Sequence, residues 1–264
     1  MNTLSKRILK TFSNTAISLV VVAALWLFSL WALDVTPYIG KNPIDVFNFL
    51  FNSEKATANR ERVFGALGQT MIDASIGFSF GILFATLVSI LFTLSKGIEQ
   101  ALMPIAMLFR SVPLIAMAPI IILIFGRAEI TVAVMGAIVV LFPALVNIVF
   151  GLRSVSPAMY DLASVYGANK LTILRTVAFP SSLPSFFAAV KISVPGAITG
   201  ALLVEWLATG SGIGYGIVSA VGRAKANEVW AYVVVITLVS ILLYNIVALI
   251  EQSVLARFGY SSAK

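Results

Sequence analysis

The sequence predicts an all-α polytopic membrane protein: a single domain over residues 1–264, six transmembrane helices, and a structured cytoplasmic loop between spans four and five. Three observations predict it. Of the 264 residues 59% are hydrophobic and only 11% charged, against about 25% charged in soluble domains. Several runs reach the roughly 18 charge-free apolar residues that cross a bilayer as a helix. Period-two alternation is absent, which argues against a β-barrel, the other spanning structure that satisfies its own backbone.

The spans fall near residues 16–33, 71–94, 101–125, 130–151, 184–207 and 229–250. Lys6, Arg7 and Lys10 precede the first. Its apolar stretch exceeds the 7–15 residues typical of a signal peptide and no small-residue cleavage pattern follows, so it reads as an uncleaved span. The second carries Asp73 near its start. The third contains Pro104, Pro113, Pro119 and Arg110, and is expected to break into an interfacial piece and a short spanning piece. The sixth has no charge at all.

Orientation follows from the Lys and Arg in the loops. With the N-terminus inside, the inner face receives Lys6, Arg7, Lys10, Lys96, Arg153, Lys170, Arg175, Arg257 and Lys264. The outer face receives Lys41, Lys55, Arg60, Arg62, Arg127, Arg223 and Lys225. Both termini are then cytoplasmic, and residues 34–69 face out, with an amphipathic stretch on the membrane surface. The net charge of +7 is spread over span ends without a clustered stripe, so nucleic acid is not expected as a partner. The chain has no Cys and no His, which removes thiol and imidazole chemistry and most zinc sites. No cofactor or metal is expected.

The loop at residues 152–183 has helix grammar. Ser156-Pro157 reads as an N-cap with proline at the first helical position. Leu162, Val165 and Tyr166 share one face. Gly167-Ala168-Asn169 breaks the helix and Asn169 caps a second, along which Leu171, Leu174 and Val177 recur at spacing three. Pro180 and Pro184 are expected to end the unit before span five, leaving a compact two-helix knob.

Within this loop, Asp161-Leu162-Ala163, three residues, Gly167, nine residues and Val177-Ala178-Phe179-Pro180 match, over 20 residues, a known pattern. It resembles the Glu-Ala-Ala…Gly…Ile-x-Leu-Pro motif of bacterial ABC-importer permeases. Asp replaces Glu, Leu the first Ala, Val the Ile and Phe the Leu; Gly167 and Pro180 are retained. Further segments are similar to the branch for nitrate, sulfonate, taurine and bicarbonate: Arg110-Ser111-Val112-Pro113 with Ala116, Pro119 and Phe125-Gly126; Phe142-Pro143 with Asn147 and Gly151; and Glu205 followed by Gly210-Ser211-Gly212-Ile213-Gly214-Tyr215. The resemblance covers residues 63–259.

That resemblance implies the type I ABC-importer permease fold, in the bacterial cytoplasmic (inner) membrane. It implies two ATP-binding subunits inside, a second permease copy or paralogue, and an extracytoplasmic solute-binding protein. It assigns ATPase coupling to Asp161, Ala163, Gly167, Ala168 and Pro180. The blander reading makes Gly167 and Pro180 turn formers only, and Asp161 either contacts the ATPase or pairs internally. The chain lacks GxxxxGK[ST], so it binds no ATP by a P-loop and is expected not to be an enzyme.

Arg110, Glu205, Gly210, Gly212 and Gly214 are candidates for the translocation path or gate. Ionisable residues near hydrocarbon are functional candidates by default. Glu205 either pairs with Arg110 or another cation, or shapes a gate. Lys191 is expected to snorkel to the cytoplasmic interface. The glycine run follows an apolar span rather than a strand, which excludes a phosphate-binding loop; it reads as a flexible turn, a re-entrant segment, or a plain outer loop. The cargo is expected to be a sulfonate, nitrate, taurine or related anion, or alternatively a thiamine-precursor pyrimidine or riboflavin-like compound. A secondary carrier or channel is the competing class. It predicts midplane ion-coupling residues and repeated halves, and neither is evident. An intramembrane enzyme fits still less, since no paired carboxylates are evident.

Overall fold

The computed structural model describes residues 3–260. Lys264 and the side chains of Lys6, Arg7 and Lys10, counted above for orientation, lie outside the described residues. The described chain is helical throughout: α1 (Thr3–Ala32), α2 (Pro43–Phe47), α3 (Ala56–Leu94), α4 (Lys96–Ser111), α5 (Leu114–Phe125), α6 (Glu129–Leu152), α7 (Pro157–Val165), α8 (Lys170–Ile173), α9 (Phe179–Val204), α10 (Gly212–Gly222) and α11 (Ala226–Arg257). Three π-turns, Asn48–Asn52, Leu174–Ala178 and Glu205–Thr209, interrupt or extend these helices.

Among the described residues five helical stretches are long and apolar enough to cross a membrane, and six if α4 and α5 together make one span. Those two helices meet at 103°. The cause is local. Pro113 excludes helical backbone at the preceding residue, and Val112 is extended, with φ −81° and ψ 123°. The expected break in the third span is therefore present.

Two boundaries differ from the sequence expectation. α3 begins at Ala56 rather than near residue 71. At 1.5 Å per residue its 39 residues run about 60 Å, well beyond a bilayer core of about 30 Å. Its first turns are charged, so hydropathy misses them, but they contain no Pro and the helix continues unbroken through Gly65 and Gly68. The second difference concerns Pro180. It does not close a knob, because Lys170–Thr209 forms one continuous helical span. In the π-turn Leu174–Ala178, the Phe179 N–H reaches back five residues to the Leu174 carbonyl. The wider turn takes up the missing N–H and the ring of Pro180, which would otherwise break an α-helix.

The chain divides into two compact units, with boundaries inside α3, between Gly210 and Ser211, and inside α11. The first comprises the residues up to Gln69 together with Ser211–Asn245. Within it Trp26 of α1 stacks on Trp230 of α11 (centroids 5.0 Å apart, planes within 8°), and Trp230 Nε1 donates to the Ile39 carbonyl at 2.8 Å. Asn42 and Asp45 form a reciprocal capping box on α2. Asn59 and Arg60 of α3 donate to the carbonyls of Phe49 and Leu50, fastening the surface stretch to the long helix.

The second unit comprises Thr70–Gly210 and the residues from Ile246. Its core is the packing of α6 on α9 and of α3 on α6. A Cβ built on Gly77 would lie 2.7 Å from Gly136 Cα, and one on Gly81 2.5 Å from Val140 Cβ. Gly77 and Gly81 are one turn apart on α3, a small-xxx-small pattern that lets helix backbones approach closely in lipid. Toward the loop end, Phe92, Leu145, Ile148, Val149, Leu152, Leu174 and Ala178 form one buried cluster.

Candidate functional site

The loop between α6 and α9 divides into a projecting half and an anchored half. α7 starts at the N-cap Ser156, whose Oγ accepts the Met159 N–H at 3.4 Å. Pro157 supplies the first helical φ. The helix ends in two reversed bonds. The Gly167 N–H donates to the Ser164 carbonyl at 2.9 Å, and the Ala168 N–H to the Ala163 carbonyl at 3.0 Å. This is a Schellman cap, which needs left-handed backbone at its glycine. Gly167 has φ +80° and open space around a notional Cβ. Asn169 then caps α8, its Oδ1 accepting from the Thr172 N–H at 2.8 Å and hydroxyl at 3.0 Å.

No residue of α7 is buried. Met159, Leu162, Val165 and Tyr166 are exposed, Val165 and Tyr166 each to 84%. Asp161 is exposed and makes no ion pair among the described residues, so the internal pairing considered for it is absent. Ala163 and Ala168 are half-buried behind it. Past Asn169 the pattern inverts. Ile173, Leu174 and Ala178 are buried, the latter two in the core cluster beneath the loop. The Tyr260 hydroxyl donates to the Pro180 carbonyl at 3.1 Å, and Arg153, just past α6, forms an ion pair with Glu99 of α4. The structure therefore brings Asp161, Ala163, Gly167 and Ala168 together on one projecting element. Pro180 stands apart, in the rod that supports it.

The path residues fall in both units, Arg110, Glu205 and Gly210 in the second and Gly212 and Gly214 in the first. Arg110 is exposed in the last turn of α4 and makes no ion pair with Glu205 among the described residues. Glu205 is fully buried at the start of the π-turn that ends α9. Gly210 caps that turn in left-handed backbone, φ +70°. Gly212 and Gly214 open α10, an 11-residue apolar helix. At about 16 Å it is too short to span. The glycine run begins as a short turn at Gly210 and Ser211 and continues into this helix.

Lys191 has a specific partner. Its Nζ lies 2.6 Å from Glu251 Oε2, with the two side chains 23% and 15% exposed, so an ion pair ties α9 to α11. Hydropathy could not pair the two, because 60 residues separate them. A second carboxylate was also missed: Glu228, 2% exposed, lies within 3.7 Å of Arg62, Arg223 and Lys225. The i,i+3 spacing of Lys225 and Glu228 was a legible signal. So was Gly77-x3-Gly81.

Long apolar helices packed through glycines, with a capped and exposed helix between α6 and α9, define a polytopic membrane protein. Residues 77–257 match the family of binding-protein-dependent transport system inner membrane components, and the chain belongs to that family. It is thus a membrane permease subunit of an ABC importer, a class that works with an ATPase and a substrate-binding protein. It is 30% identical to a probable ABC transporter permease of Haemophilus influenzae over 66% of this chain and 71% of the relative. It is 28% identical to the formylaminopyrimidine transport permease ThiX of Halalkalibacterium halodurans, over 88% and 92%. To the putative aliphatic sulfonates transport permease SsuC of Bacillus subtilis it is 29% identical, over 73% and 70%. A bacterial ABC transporter that imports alginate has a chain of the same fold, with a TM-score of 0.63 at 16% identity over 96% of this chain and 99% of that one.

Proposed function

We propose that α7 is the element on which the ATPase docks, and that the chain imports a small anion of the sulfonate or nitrate class. One observation carries the docking reading: a helix with no buried residue shows Met159, Leu162, Val165 and Tyr166 to the outside while both its ends are fixed by caps. Such an apolar surface on a rigid element suits a protein groove. Asp161 and Ala163 lie on this helix, Gly167 and Ala168 form its cap, and Pro180 sits in the helix behind it.

In this reading the loop and both termini are cytoplasmic. Two ATPase subunits meet two permeases, a homodimer or a pair of paralogues, with the solute-binding protein on the outer face. Closure of the ATPases displaces α7. Because α8, the π-turn and α9 are continuous, that displacement enters the fifth span as a rigid-body motion, switching the path between inward- and outward-open states. Arg110, Glu205, Gly210, Gly212 and Gly214 remain the residues proposed for path and gate.

The relative SsuC supports a sulfonate-type cargo. The relative ThiX, matched over more of this chain, supports a second reading, a formylaminopyrimidine-like cargo. The test is co-purification of the permease with the P-loop ATPase of its own transport system, for wild type and for Leu162→Asp with Tyr166→Asp. Loss of the ATPase from an inserted variant is expected; full retention overturns the docking reading. The chain has no native Cys, so Ser164→Cys labelled by an impermeant maleimide reports the side. Labelling only in inside-out vesicles is expected, and labelling in right-side-out vesicles refutes the orientation.

A further inference from the structure

The unit formed by the residues up to Gln69 and Ser211–Asn245 contains a cavity of about 570 Å³ that the transport reading does not use. Four cations line it, Lys41, Lys55, Arg62 and Lys225, against two carboxylates, Glu54 and Glu228. Glu228 is 2% exposed and organises the wall. Its Oε2 lies 3.4 Å from Arg62 Nη1 and 3.7 Å from Lys225 Nζ, and its Oε1 lies 3.4 Å from Arg223 Nη2. One carboxylate thus faces three cations, and the lining as a whole carries four cations against two carboxylates, a surplus of two positive charges beside open volume.

Those cations are fixed but not used up. Their side chains are 45–49% exposed. An Arg offers five N–H donors in a planar fork and a Lys three, and each contact to Glu228 occupies only part of that set. Lys41 Nζ donates to the Pro37 carbonyl at 2.6 Å, which fixes its charge in the lining. Lys55 lines the cavity with no acidic partner among the described residues. A set made only to hold the fold together would balance its charges. Here the buried acid instead spaces the cations around an opening.

We propose that this cavity is a binding site for a small oxyanion of sulfate size. Arg62, Lys55, Lys225 and Lys41 hold it. Several donors converging on one space favour an anion with several acceptor oxygens over a halide. Bulk water takes about 30 Å³ per molecule, so the cavity admits such an anion with part of its hydration. The surplus positive field would also concentrate anions at this mouth. The inference stands without the cargo assignment above, because it concerns binding to the permease alone.

The test is equilibrium dialysis of ³⁵S-labelled inorganic sulfate against the full-length permease in nanodiscs of zwitterionic lipid, at low and fixed ionic strength. One saturable sulfate per chain is expected. The exposed double variant Lys55→Gln/Lys225→Gln should weaken binding about tenfold or more, since each lost charge-assisted contact is worth a sizeable part of the 1.4 kcal/mol that makes a factor of ten. Lys96→Gln, in the first turn of α4 and outside the cavity, should leave binding unchanged, and chloride at equal ionic strength should not displace sulfate. Monodisperse elution of each variant on size exclusion confirms that it is folded. Absence of saturable binding to wild type overturns the site. So does equal weakening by Lys96→Gln, or displacement by chloride, since either reduces the effect to net charge.

Discussion

Gly167→Val isolates what the left-handed glycine contributes. The Gly167 backbone sits at φ +80°, and a notional Cβ there meets nothing within 4 Å. The substitution therefore adds no clash, only the conformational cost. Left-handed backbone costs an L-residue about 1–2 kcal/mol, and a β-branched one is at the upper end. That cost opposes the two cap bonds from Gly167 and Ala168 to the last turn of α7. A loss of 1–2 kcal/mol lowers the ratio of capped to uncapped states about 5- to 30-fold. Hydrogen exchange by mass spectrometry, on the permease in nanodiscs, reads this directly. The Gly167 and Ala168 amides should exchange about 5–30 times faster, while peptides from α6 and α9 stay unchanged. Gly167→Asn should lie close to wild type, because Asn tolerates this region. In the assembled transporter, Gly167→Val should lose ATPase association or coupling while still inserting. Two results refute the reasoning: unchanged exchange at the cap, or equal loss of protection in α6 and α9.

Gly81→Leu should force α3 from α6, since its Cβ would meet Val140 Cβ at 2.5 Å. A loss of about 3 kcal/mol or more is expected, read as a lowered melting temperature in detergent. Gly65→Leu, on the same helix with nothing within 4 Å of its Cβ, should change little. Glu251→Gln should destabilise through the unpaired Lys191 left between α9 and α11, by up to about 3 kcal/mol and less where water reaches the pair. The double variant Lys191→Met/Glu251→Leu should recover much of that loss in the same melting assay.

Local chemistry was legible in the residues. Three prolines marked the broken third span, and Pro113 bends α4 against α5 by fixing Val112 in extended backbone. Ser156, Gly167 and Asn169 marked α7 and the start of α8, because a cap depends on residues within one turn of itself. Pro180 misled for the complementary reason. Whether proline ends a helix depends on whether the preceding turn can widen, and burial of Leu174 and Ala178 in the core holds that wider turn in place.

The sequence by itself determined the spans, the caps and the 20-residue loop pattern that places the chain among importer permeases. Each of these is a matter of composition or short spacing, governed by transfer into lipid or by bonds within one turn. The tertiary structure alone decided which half of the loop projects and which half is the root of the fifth span. It alone joined Lys191 to Glu251, and brought Arg62 to Glu228 across 166 residues of chain. Such contacts join residues far apart in the chain, through packing and charge at distances of a few ångströms, and no local pattern encodes a partner that far away.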